Sequence, residues 1–95
     1  MKSPIPRGAL ALVTGASSGI GRAIAWELAA RGVACLLSGR NRRALLTLSR
    51  EIRDRYGVEV RVVIQDLSRP AAGEKLYRAC IRAGYEVDIL VNNAG

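Results

Sequence analysis

The sequence contains no histidine and no phenylalanine, and its aromatic residues are one tryptophan and three tyrosines. Without histidine, the chain has no imidazole that could act as a general acid or base. Cysteine is scarce as well, and the two cysteines, Cys35 and Cys80, have neither metal-ligand nor redox spacing. Both lie in apolar or helical patterns, so we expect two buried thiols and no metal site.

Long apolar runs are also missing, and none approaches the roughly 20 residues that a membrane-spanning helix needs. The N-terminal sequence MKSPIPRG leads into a short apolar run, residues 9–13, which is too short for the core of a signal peptide. These absences favour a cytoplasmic protein with no membrane partner. Hydrophobic residues make up 49% of the 95 residues, which indicates one small folded domain.

Acidic residues are few, since eight Asp and Glu stand against fifteen Lys and Arg, and the formal net charge is +7. The excess is densest in residues 40–55, where arginines fall at helical spacing and are typical of a solvated helix face. No aromatic residues alternate with them to stack on bases. Nucleic acid is therefore not the expected partner, although a local basic cluster can contact a single phosphate.

Four short apolar runs alternate with three segments of helical periodicity. The predicted strands are residues 9–14, 33–38, 58–64 and 87–91. The predicted helices are residues 19–31, residues 42–56 with Asn41 as N-cap, and a third helix that begins near Pro70. Each helix is expected to end at a glycine, namely Gly32, Gly57 and Gly84. In the first helix, Ile20, Ile24 and Leu28 are expected to form the apolar stripe.

The order β-α-β-α-β-α-β, with continuous apolar strands, predicts an α/β fold whose parallel sheet is covered on both faces. Right-handed crossovers would give the strand order 3-2-1-4. This is a doubly wound, Rossmann-type sheet, of which the chain would hold one half and the first strand of the other half.

The sequence LVTGASSGIGRAIA, residues 12–25, places three glycines where the first strand meets the first helix. A helix N-terminus offers unpaired N–H groups and about half a positive charge, so a phosphate can lie against it if no side chain intervenes. Gly15 would permit the sharp turn, Gly19 the approach of a pyrophosphate, and Gly21 close packing of the helix. The spacing is neither that of the general dinucleotide fingerprint nor that of the P-loop.

The motif Thr14-Gly15-x3-Gly19-Ile20-Gly21 resembles the nucleotide motif of the classical short-chain dehydrogenases/reductases. The sequence NNAG at residues 92–95 looks like the motif that follows the family's fourth strand. Asp66-Leu67 matches the position at which the family contacts the adenine ring. The three motifs occur in the family's order, and the resemblance covers residues 9–95.

The resemblance implies a nicotinamide dinucleotide site. Its implied residues are Thr14, Gly15, Ser17, Ser18, Gly19, Ile20, Gly21, Arg40, Asp66, Leu67, Asn92, Ala94 and Gly95. Asp66 would accept a hydrogen bond from the adenine amino group, although an aspartate before a helix is also typical of an N-cap or Asx turn. The NNAG segment would border the ribose, with an asparagine that ties the fourth strand to its neighbour, or would simply end the strand.

The residue after the second strand favours NADP(H) over NAD(H). An NAD site usually has Asp or Glu there to bind the ribose 2′-OH, but this sequence has Arg40. Arginine can form a bidentate pair with a 2′-phosphate, and Ser17 and Ser18 could donate hydroxyls to it. Arg40 also occupies the place where NADP-preferring members of the family carry a basic residue. The alternative for Arg40 is a solvated loop arginine.

The catalytic tyrosine and lysine of the family, spaced Tyr-x3-Lys, have no counterpart, because none of the three tyrosines has a lysine four positions later. The family continues well beyond the equivalent of Gly95. Residues 1–95 are therefore expected to be a single N-terminal NAD(P)-binding segment, truncated before the catalytic half and inactive alone. No catalytic residue is assigned within it.

The resemblance implies an NADP(H)-dependent oxidoreductase that transfers hydride between the nicotinamide and a carbonyl or alcohol substrate. In a full-length form, a homo-oligomer is expected. Two alternatives stay open: a stand-alone dinucleotide-binding module without chemistry, and a basic nucleic-acid-binding α/β domain. A downstream serine and Tyr-x3-Lys in the gene would favour the oxidoreductase.

Overall fold

The computed structural model describes residues 9–17, 19–64, 72–82, 84, 86–91 and 93. The elements in chain order are β1 (Leu10–Thr14), α1 (Gly19–Ala30), β2 (Ala34–Gly39), α2 (Arg42–Tyr56), β3 (Val60–Ile64), α3 (Ala72–Arg82) and β4 (Ile89–Val91). The predicted alternation of strands and helices is confirmed, and the strands begin up to two residues later than predicted. The predicted start of α3 at Pro70 lies outside the described residues.

The four strands form one parallel sheet in the order β3-β2-β1-β4. Strand β1 is central, since Leu12 pairs with Leu36 of β2 on one side and with Leu90 of β4 on the other. The doubly wound, Rossmann-type arrangement predicted from the sequence is therefore confirmed. In this arrangement the carboxyl ends of all strands meet at one edge, which we call the carboxyl edge, and α1 and α2 begin there.

The buried side chains lie on both faces of the sheet. The larger cluster joins Val13 and Leu37 of the sheet to Leu45 and other residues of α1 and α2. The smaller cluster joins Leu12 and Leu36 to α3. Adjacent strand residues belong to different clusters because successive side chains point to opposite faces. Coverage of both faces explains why the strands are apolar at almost every position.

The buried face of α1 is not the predicted one. The expected stripe of Ile20, Ile24 and Leu28 is wrong, because Ile20 is 70% exposed and the other two are only half-buried. The helix instead buries the small residues one position further along, namely Gly21, Ala25 and Ala29. Small side chains let the helix axis lie close to the sheet, and the larger side chains are displaced to the sides of the contact.

The ends of α2 are set by caps, as predicted. The side chain of Asn41 accepts a hydrogen bond from the Ala44 N–H at 3.0 Å. Gly57 adopts φ 68°, in the left-handed region, and its N–H donates to the Arg53 carbonyl at 2.9 Å. Local sequence alone therefore determines where this helix begins and ends.

Both cysteines are free and buried, as expected. Burial raises the pKa of Cys35 from 9.0 to about 11, and it raises the pKa of Cys80 as well. Since the thiolate is the reactive form, neither side chain is suited to nucleophilic or redox chemistry at neutral pH.

Among the described residues, no helix combines the length and the apolar character that crossing a membrane would require.

Candidate functional site

The turn between β1 and α1 uses glycine at both of its ends. Gly15 has φ 61° and Gly19 has φ 60°, a region that residues with a side chain rarely adopt. Apart from its chain neighbours and the backbone of α1, a Cβ built at Gly19 would meet no atom of the described residues within 4 Å. Open space therefore lies beside Gly19 at the N-terminus of α1, where the helix has N–H groups without helical partners.

Gly21, unlike Gly19, is surrounded closely by other atoms. A Cβ at this position would overlap the Gly15 carbonyl and would lie 2.7 Å from Nδ2 of Asn93. The first turn of α1 is thus packed against the preceding turn and the end of β4, with no room for a methyl group. This matches the close packing that the sequence predicted for Gly21.

Three hydrogen bonds, which we call the β1–β4 junction, hold the carboxyl end of β4 beside the turn. The Thr14 hydroxyl donates to the Val91 carbonyl at 3.2 Å and accepts from the Asn93 N–H at 2.9 Å. The Asn93 side-chain amide donates to the Gly15 carbonyl at 3.3 Å. The resemblance implied that an asparagine ties β4 to its neighbour. Asn93, which was not among the predicted site residues, makes two of these three hydrogen bonds.

The end of β2 forms the other side of the opening. The Ala16 N–H donates to the Ser38 carbonyl at 3.1 Å, which fixes the turn against β2. A Cβ at Gly39 would lie 3.5 Å from Oγ of Ser17, so this hydroxyl lies next to the end of the strand. Arg40 follows, is exposed, and makes no hydrogen bond or ion pair with a described residue.

The N-terminus of α2 adds positive charge at the same edge. Arg42 and Arg43 occupy its first turn, which contains no acidic residue. Cations are unfavourable at a helix N-terminus because the helix dipole is positive there. Neither arginine forms an ion pair within the described part of the chain. Together with Arg40, they create a positive potential that suits an anionic ligand.

The sequence model of the family described as short chain dehydrogenase matches residues 9–95. This chain belongs to the short-chain dehydrogenase family. Its matched part includes the turn, the β1–β4 junction and the end of β2. Within the described ranges of this chain, no group of histidine, cysteine, aspartate or glutamate side chains is placed to hold a metal ion.

Among similar curated proteins, the very-long-chain 3-oxoacyl-CoA reductase of Anas platyrhynchos is 44% identical over 91 residues, which cover 93% of this chain and 28% of the relative. The inactive hydroxysteroid dehydrogenase-like protein 1 of Pongo abelii is 40% identical over 90 residues, which cover 93% of this chain and 26% of the relative. The chain therefore spans about a quarter of the length of these curated relatives. Because one of them is named as inactive, family membership alone does not establish activity.

Among solved structures, L-sorbose reductase from Gluconobacter frateurii complexed with NADPH and L-sorbose has a TM-score of 0.83 and 36% sequence identity. The match covers 93% of this chain and 34% of that one. The fold of the described residues is therefore that of a short-chain dehydrogenase.

The predicted site residues that the structure describes gather at the carboxyl edge. They are Thr14, Gly15, Ser17, Gly19, Ile20, Gly21 and Arg40. The others, Ser18, Asp66, Leu67, Asn92, Ala94 and Gly95, lie outside the described residues, and their roles stay predictions. The sequence pointed to Asn93 only through its place in the NNAG motif. The motif does not show which of its two asparagines binds the turn after β1.

Substitution Gly21→Ala should destabilise this protein, although alanine ordinarily stabilises a helix relative to glycine. The added methyl group overlaps the Gly15 carbonyl, and overpacking of this kind costs about 1–3 kcal/mol. Urea unfolding of the full-length gene product, followed by circular dichroism, measures the change.

The matched control is Ala23→Gly on the exposed side of the same helix, which should lose about 1 kcal/mol from helix propensity alone. A Gly21→Ala variant more stable than the wild type would contradict the close contact.

Proposed function

We propose that the carboxyl edge binds a nicotinamide dinucleotide, with its pyrophosphate against the N-terminus of α1. The observation that carries this proposal is the open space at Gly19, which a Cβ would fill. Unpaired N–H groups and the positive end of the helix dipole face that space. The structural likeness to a reductase complexed with NADPH supports the same assignment.

We propose further that NADP(H) is preferred over NAD(H). No carboxylate stands at the end of β2 or in the first turn of α2, so the acidic side chain that usually binds the free ribose hydroxyls of NAD(H) and would repel a 2′-phosphate is missing there. Arg40 is exposed and lacks an ion-pair partner among the described residues, and Arg42 and Arg43 raise the local positive potential. The hydroxyl of Ser17, beside Gly39, can donate to the same phosphate.

The remaining cofactor contacts follow the family motifs. We propose that Asp66 and Leu67 bind the adenine ring and that Asn92, Ala94 and Gly95 border the ribose. Asn93 would act indirectly, because it holds β4 and the Gly15 carbonyl in place.

For the whole protein, we propose hydride transfer between the nicotinamide and a carbonyl or alcohol substrate, carried out by a homo-oligomer. The bound cofactor supplies the hydride chemistry, and this chain's residues bind its phosphates and orient it. A general acid and base would belong to further sequence, since Tyr-x3-Lys is not among these 95 residues. Turnover of NADPH with carbonyl compounds tests this, and cofactor binding without turnover by the full-length protein would favour the non-catalytic module.

Substitution Gly19→Val should abolish binding of both NADPH and NADH, because the side chain would fill the space proposed for the pyrophosphate. Fluorescence titration of the full-length gene product measures binding, and circular dichroism should show near-normal helix content. Gly57→Val is a matched control, since Gly57 has φ 68° and the same empty surroundings but lies at the opposite end of α2. Retained affinity in the folded Gly19→Val variant would contradict the phosphate assignment.

Substitution Arg40→Ala should weaken NADPH binding by about 1–3 kcal/mol, the range for a hydrogen bond to a charged group. NADH binding should change little, because NADH has no 2′-phosphate. Arg53→Ala provides the control, as it removes the same charge from the last turn of α2, away from the site. An equal loss of affinity for both cofactors in Arg40→Ala would contradict the proposed preference.

A further inference from the structure

A groove of about 340 Å³ runs between α1 and α2 and is continuous with the glycine turn. Ser17 and Gly19 line the groove, and so do Arg22 of α1 and Thr47 and Glu51 of α2. Ser17 and Gly19, which border the proposed phosphate site, thus share one groove with Arg22 and Glu51. Neither of these two charged residues has a role in the cofactor binding proposed above.

Arg22 and Glu51 form an ion pair across this groove. Nη2 of Arg22 lies 3.6 Å from Oε1 of Glu51, and about half of each side chain is exposed, 51% and 49%. Exposed ion pairs contribute only about 0–1 kcal/mol, because water solvates both charges well. A more highly charged anion within reach can therefore take the guanidinium from Glu51.

Arg22 is close enough to the turn for such an exchange. It follows Gly19 by three residues, which places its Cα only about 4.5 Å further along the helix axis. Side chains on a helix tilt towards its N-terminus. The groove also contains Ser17, whose Oγ lies beside the end of β2, where the 2′-phosphate is proposed to bind. A change of side-chain rotamer can bring the guanidinium to the Ser17 end of the groove while α1 stays in place.

We propose that Arg22 is a second cation that selects the 2′-phosphate, and that Glu51 competes with this phosphate for the Arg22 guanidinium. The inference rests on the proposed NADP(H) site. Without the phosphate, Arg22 pairs with Glu51. With it, Arg22 turns to the phosphate, which carries more charge than a carboxylate and accepts bidentate hydrogen bonds. Glu51 then lowers the affinity for the phosphate without touching it.

The test compares 2′,5′-ADP with 5′-AMP, which differ only in the 2′-phosphate, by calorimetric titration of the full-length gene product. Arg22→Gln should weaken 2′,5′-ADP about fivefold or more. Glu51→Gln should tighten it about two- to fivefold, since the competing ion pair is lost. Neither change should affect 5′-AMP. In the double variant, the gain from Glu51→Gln should disappear, because the arginine that it releases is absent.

Glu27 and Arg31 supply matched controls. They form a second exposed ion pair on α1, at 3.3 Å, near the other end of the helix. Glu27→Gln and Arg31→Gln change the net charge in the same way as the two test substitutions and should leave both affinities unchanged.

The outcomes separate this inference from the function on which it rests. If Arg22→Gln changes 2′,5′-ADP affinity no more than Arg31→Gln does, the role of Arg22 is overturned. The NADP(H) preference then still stands, provided that the wild type binds 2′,5′-ADP more tightly than 5′-AMP. Equal wild-type affinities for the two nucleotides would overturn the preference itself and the role of Arg22 with it.

Discussion

The hydroxyl of Thr14 makes the contact on which the carboxyl edge depends. Thr14 is buried, with 4% exposure, and its hydroxyl both donates to the Val91 carbonyl of β4 and accepts from the N–H of Asn93, two residues beyond that strand. A buried hydroxyl without partners would cost free energy, so the hydroxyl favours the one arrangement in which β4 lies beside β1. Asn93, positioned in this way, bonds the Gly15 carbonyl, and that carbonyl in turn packs against Gly21. One side chain thereby links the sheet order, the turn and the start of α1.

The fixed turn gives the edge its electrostatic character. Two helices begin there, and each directs unpaired N–H groups to the same side of the molecule. The basic residues that follow β2 add to this field instead of balancing it, at some cost to the isolated protein. An anion bound at the edge, such as a phosphate of the proposed dinucleotide, would relieve that cost. Nearby, Glu51 already occupies Arg22, so the strength of the anion site depends on how the guanidinium is shared.

Much of this structure follows from local sequence. Apolar runs and helical spacing predict the strands and helices, and the right-handed crossover rule predicts the sheet order, because both depend on general properties of the chain. Asn41 and Gly57 similarly mark the ends of α2. The buried face of α1 was predicted incorrectly. The prediction selected large hydrophobic side chains at helical spacing, whereas close approach of the helix to the sheet requires small side chains such as that of Ala25.

The candidate site could be predicted only in part. The glycine motif and Arg40 are visible in the sequence because their roles depend on residue type and position relative to a strand. The contact between Asn93 and Thr14 joins residues 79 positions apart and becomes visible only in the folded chain. The same holds for Arg22 and Glu51, which belong to different helices.

The most direct test of the account is an NMR titration of the full-length gene product, labelled with ¹⁵N-glycine, with NADP⁺. Gly15, Gly19 and Gly21 report on the carboxyl edge, while Gly32 and Gly57 follow the ends of α1 and α2 at the opposite edge. The account predicts that NADP⁺ shifts the amide signals of the first group and leaves those of the second in place. Unchanged signals in the first group at saturating NADP⁺, or shifts centred on Gly32 and Gly57, would contradict it.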